Sequence, residues 1–155
     1  MKTKYLFPHS FKIIGWIVFI PSVLIGLWVL IKEIEPDFLD RSVFALFIDD
    51  WDEERFMGVL TNNILNEIMA VLVIVSGLLV AFSKEKYEDE YIAKIRLESL
   101  VWATYVNYGI LLLAVIFVYD FSFFWVMIFN MFTILLFFIV RFHYLVWRIN
   151  KNQES

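Results

Sequence analysis

Residues 13–31, 64–82, 99–119 and 123–142 form four apolar runs, each near the roughly 20 residues that a helix rising 1.5 Å per residue needs to cross about 30 Å of hydrocarbon. They take up about half of the 155 residues and leave no stretch long enough for a separate soluble domain. The sequence therefore predicts one all-α integral membrane domain over residues 1–155. Composition agrees. The chain is 61% apolar and 19% charged, against roughly 45–50% and about 25% in soluble proteins, and a chain of this size has too much surface to hide the excess.

The first run could be taken for a cleaved signal peptide, because Lys2, Lys4 and Lys12 precede it. It is longer than a typical signal h-region and no A-x-A-like site follows, so it reads as a retained anchor. Pro21 should bend it. Between the last two runs lie only Asp120, Phe121 and Ser122, a connection so short that the two spans must form an antiparallel hairpin.

Lys and Arg set the orientation. The N-terminal arm, the 83–98 connector and the C-terminal end hold ten of them; residues 32–62 hold three, Lys32, Arg41 and Arg55. The positive-inside rule then puts both termini in the cytoplasm. Trp16, Trp28, Trp102, Trp125 and Trp147 fall at or near span ends, where indole rings settle at headgroup level, while Trp51 lies in the outer loop.

Several chemistries are missing. There is no Cys, and His9 and His143 sit in no paired-ligand spacing, which leaves neither thiolate nor histidine metal sites. Haem would need a second His at the depth of His143. A net charge of −4 without a basic stripe argues against direct nucleic-acid binding, and five scattered Gly cannot make a phosphate loop. No cofactor and no enzymatic activity are expected, since no nucleophile with an adjacent base can be assembled from these spans.

Two loops could carry a task. In the outer 32–62 segment, the apolar stretch 42–48 followed by DDWDEE suggests a strand or a membrane-skimming turn. It could form an acidic cap for a cation or an envelope partner, or more simply rest on the bilayer. The connector SKEKYEDEYIAKIRLESL, residues 83–100, has i,i+4 pairs Lys84–Glu88, Lys86–Glu90, Glu90–Lys94 and Lys94–Glu98, which predict a charged helix. Glu85, Glu88, Asp89 and Glu90 are its candidate docking residues for a basic cytoplasmic partner; a solvated connector is the simpler alternative.

Polar groups within the spans are few. Asn107 and Asn130 lie within about 5 Å of each other in predicted depth, with Ser76 at a similar level, and the two amides could hydrogen-bond across the hairpin. Such contacts usually glue helices together; a polar transport path is the sharper alternative. Near the outer end of the second span, Asn63, Asn66 and Glu67 form a candidate polar cluster, with Thr61 or Asn62 as helix N-cap. Ser22 and Gly26 make a small-xxx-small step for close helix approach.

The segments FSKEKYEDEYIAKIRLESLVWATYVNYGILLLAVIFVYD and FFWVMIFNMFTILLFFIVRFHYLVW resemble an uncharacterised family of small four-span membrane proteins of Bacteroidetes-type bacteria. The resemblance covers about the last 90 residues, from NNILNEI onward. It implies the four-span fold and a membrane partner for a small helix-turn-helix regulator, but no activity. Two functions follow as expectations. One is a non-enzymatic interaction protein presenting the connector helix to a cytoplasmic regulatory protein. The other is a small homo-oligomeric transporter or channel using Asn107, Asn130 and Glu67.

Overall fold

Long apolar sequences with a single internal proline make long helices, and the computed structural model has four of them. It describes residues 4–50 and 53–155, with the side chains of 48–55 left aside; Lys2, Trp51 and Asp52 lie outside the described residues. The elements are α1 (His9–Lys32), a 3₁₀ turn (Asp37–Leu39), β1 (Asp40–Asp50), β2 (Glu53–Asn63), α2 (Leu65–Phe82), α3 (Glu90–Phe117) and α4 (Phe121–Glu154). All four helices are long and apolar enough to cross a membrane. α1 runs through Pro21 without ending.

The expected 83–98 helix is corrected in its first half. Residues 84–89 are not helical, and α3 starts at Glu90, where the Asp89 side chain accepts the Ile92 N–H at 2.8 Å. An N-cap aspartate competes well with the helix at that position, so Lys84 and Lys86 lie off the helix on which the i,i+4 spacing was counted. From Glu90 onward the connector is continuous with the third span. α3 and α4 reach 28 and 34 residues, about 42 and 51 Å at 1.5 Å per residue. They are joined through Val118, Tyr119 and Asp120, the last in the left-handed region with φ 59°, which turns the chain back on itself.

The chain divides into two units. The first, residues 1–19 and 74–155, packs parts of all four helices around Phe138 and Phe142, both fully buried. Phe82, Phe138 and Phe142 stack in succession. Gly15 brings α1 onto α2, since a Cβ there would meet Val80 and Leu79 at 3.0 Å, and Gly77 brings α2 against Leu135 of α4. At Gly15 the neighbour includes the Val80 backbone nitrogen, so glycine permits a close helix approach there, whereas at Gly77 the space is taken by the Leu135 and Phe19 side chains.

The second unit, residues 20–73, carries a two-stranded antiparallel hairpin paired from Asp40↔Asn63 to Asp50↔Glu53. The apolar stretch 42–48 is thus a strand, and the sequence Glu53–Asn63, unassigned by the period of its side chains, is its partner. Thr61 and Asn62 belong to β2, so neither caps α2. Asn63 instead accepts the Leu65 N–H at 3.2 Å. In this unit a Cβ at Gly26 would meet Met69 of α2 at 3.8 Å, an ordinary contact distance that another small residue would also allow.

Candidate functional site

The densest polar arrangement in the first unit lies where α1 begins, α2 ends and α3 begins. It starts with a strap. Phe7 N–H donates to the Phe82 carbonyl and Lys84 N–H to the Phe7 carbonyl, both at 2.9 Å. His9 Nδ1 lies 2.9 Å from the Lys84 carbonyl oxygen. Because a carbonyl can only accept, Nδ1 carries the hydrogen there. The arm before α1 is thereby tied to the connector after α2.

Two cations lie beneath the strap. Lys12, 8% exposed, donates to the Glu85 carboxylate, and Arg96, 5% exposed, pairs with both oxygens of Glu88 and reaches the Ser83 carbonyl. Glu88 also accepts the Glu85 N–H at 2.9 Å, which folds the connector around its own charges. Both cations face the Phe142 ring, Arg96 at 4.8 Å and Lys12 at 5.8 Å from its centroid. An aromatic face partly replaces the water that a buried cation loses. His143 packs edge-on against Trp16 and Phe142 while its Nδ1 donates to the Ile139 carbonyl at 2.8 Å. Its Nε2, Arg96 Nε and Ser99 Oγ are buried without a hydrogen-bond partner among the described residues. Arg141 stacks over Trp102 on the α3–α4 side.

The four docking candidates are used differently from one another. Glu85 and Glu88 hold Lys12 and Arg96, and Asp89 caps α3. Glu90 is exposed in the first turn of α3. Glu85, Glu88 and Asp89, named as docking candidates, thus serve the fold of the connector. Their neighbours Lys12, Ser83, Arg96, Ser99, Phe142 and His143 were missed as a site. One signal for them is in the sequence. Ile92, Arg96, Ser99, Ala103 and Asn107 recur at helical spacing and all are buried, a stripe that mixes small, apolar and polar residues. Reading Arg96 only as a topology charge concealed that stripe.

Deeper in α3, the expected Asn107–Asn130 hydrogen bond is replaced by another. The Thr133 hydroxyl donates to Asn107 Oδ1, and lies 3.3 Å from the Asn130 carbonyl rather than its side chain. Residues 107 and 133 each stand 13 positions from Asp120, so a hairpin pivoting there sets them level. Asn130 falls about one turn away. Ser76 is buried in the same unit. In the second unit, Asn66 and Glu67 lie in the first turn of α2, and Asn63 and Glu67 bond to different partners. Glu67 accepts from Asn62 at 2.8 Å, while Asn63 donates to the Pro36 carbonyl and to Asp40, each at 2.8 Å. The spacing i,i+4 requires both residues on the helix, and Asn63 precedes it. Among the described residues no group of three or more His, Cys, Asp and Glu could hold a metal ion.

No protein-family model, no curated protein and no solved structure matches the chain.

Proposed function

We propose that the chain is a multi-pass bacterial inner-membrane protein with both termini in the cytoplasm, and that it acts as a non-enzymatic interaction partner offering the start of α3 to a cytoplasmic regulatory protein. The observation that carries this reading is the two-sided construction of α3 from Glu90 to Ser99. One side is anchored through buried Ile92, Ile95, Arg96 and Ser99. The other exposes Tyr91, Lys94, Leu97 and Glu98. A helix held by its own ion pair presents these side chains without needing to be ordered first, which lowers the entropic cost of docking. Tyr91 and Leu97 supply apolar contact, and Lys94 and Glu98 supply charges of both signs. The asymmetry of Lys and Arg along the chain supports the orientation, and the family resemblance supports a DNA-binding regulator as the partner.

The test is crosslinked co-purification of the full-length protein from its own membrane. The expected result is recovery of a DNA-binding regulator, lost with Tyr91→Ala combined with Lys94→Glu and Glu98→Lys while the protein still inserts. Recovery of a homo-oligomer alone, or a regulator still bound by that variant, would overturn the proposal.

A further inference from the structure

The hairpin of the second unit is built in a way that its own chain does not complete. Its register places Val43 with Leu60, Ala45 with Gly58 and Phe47 with Phe56 on one face, and Phe44 with Val59 on the other. Strand side chains alternate, so each face is a separate surface. Both are apolar. Phe47 and Phe56 are 77% and 70% exposed, touching only edge to face at 5.0 Å, and Phe44 and Val59 are 64% and 68% exposed. Leu46 and Met57 are exposed as well. Among the described residues the sheet has two strands only, so each strand has one edge without ladder hydrogen bonds. An isolated two-stranded ribbon is marginal in water, and paired strands with open edges present a template for another strand.

Three occupants can be compared. Hydrocarbon is excluded by the open edges, whose N–H and C=O groups would go unsatisfied there. An anionic lipid surface and a second copy are both opposed by charge, because residues 32–50 and 53–63 hold eight Asp and Glu against three Lys and Arg, a formal −5. That excess exceeds the −4 of the whole chain. What satisfies the edge, the apolar faces and the charge together is an extended polypeptide carrying Lys or Arg between apolar residues.

We propose that the β1–β2 hairpin is a docking strip for a cationic, apolar segment of a partner protein, which adds to the sheet as a third strand along the free edge of β1 and extends the Phe44–Val59 face with its own apolar side chains. The added strand gains backbone hydrogen bonds along the edge, apolar contact with Phe44 and Leu46 of β1, and long-range attraction from the acidic segment. The last of these speeds encounter and weakens with salt.

The experiment uses the full-length protein in phosphatidylcholine nanodiscs, with a fluorescent ten-residue peptide of alternating Val and Lys as the probe and empty nanodiscs as the blank. Anisotropy should show saturable binding that weakens at least tenfold with Phe44→Ser plus Val59→Ser. Both residues are exposed, so the fold should survive; if that pair lowers Tm, Leu46→Ser serves on the same face. Of two peptides N-methylated at alternate amides, the one that blocks the pairing edge should lose binding although its charge and side chains are kept. Equal binding by both methylated peptides, by an alternating Val and Glu peptide, or by the serine variants would overturn the proposal. So would a dimer of the protein that dissociates with Phe44→Ser.

Discussion

Arg96 shows how a charge is kept at the margin of an apolar core. Its guanidinium is flanked by the Glu88 carboxylate, the Ser83 carbonyl and the Phe142 ring. Removing one member of a buried ion pair leaves the other uncompensated and typically costs about 3–5 kcal/mol, whereas replacing both by apolar groups is often neutral. Arg96→Met and Glu88→Gln should therefore each lower the unfolding temperature sharply in detergent, and Arg96→Met with Glu88→Met should recover most of the loss. Equal losses in the single and double variants would instead mean that the pair itself stabilises this end of the fold and that no loss comes from an uncompensated charge. The Asn107–Thr133 contact is testable in the same manner. A double-mutant cycle with Asn107→Leu and Thr133→Val should return a coupling of roughly 0.6 to 1.7 kcal/mol, while a cycle pairing Asn107→Leu with Asn130→Leu should return almost none. The type of interaction was legible from two amides at similar depth, but its partner was not. Choosing between residues one turn apart needs the pivot of the hairpin, and that pivot is the backbone of Asp120 at φ 59°.

Among the elements, the apolar lengths of the four helices could be read directly, because hydropathy over about 20 residues is a strong signal. Their polar ends were harder. Lys84 to Asp89 has the charge spacing of a helix, yet its carboxylates find better partners outside the segment, in Lys12 and Arg96. Tertiary ion pairs and an N-cap outweigh i,i+4 pairs worth a few tenths of a kcal/mol each. Asp89→Ala should cost about 1 kcal/mol and fray the first turn of α3, seen as faster amide exchange at Glu90–Ile92 with protection near Asn107 unchanged. Exchange that rises along the whole helix would mean that the cap holds more than its own turn. The second strand of the hairpin was hidden for a different reason. Gly58 and the left-handed backbone of Met57 at φ 66° interrupt the alternation by which a strand is recognised.

For the whole molecule, the account rests on an address. Ten Lys and Arg sort with the N-terminal arm, the connector and the C-terminal end, and the acidic hairpin sorts with the opposite ends of the helices along the chain. The proposed docking by α3 requires the connector to face the cytoplasm, and the proposed docking by the hairpin requires residues 40–63 to face outward. The chain has no native Cys, so single cysteines can report their side without background. The most direct measurement is labelling of intact cells by a membrane-impermeant maleimide after Ser10→Cys, Ser42→Cys, Tyr87→Cys, Ser122→Cys or Ser155→Cys. The account predicts labelling from outside for Ser42→Cys and Ser122→Cys only, with the other three reacting once the inner membrane is permeabilised. Outside labelling of Tyr87→Cys or Ser155→Cys, or protection of Ser42→Cys, would contradict it.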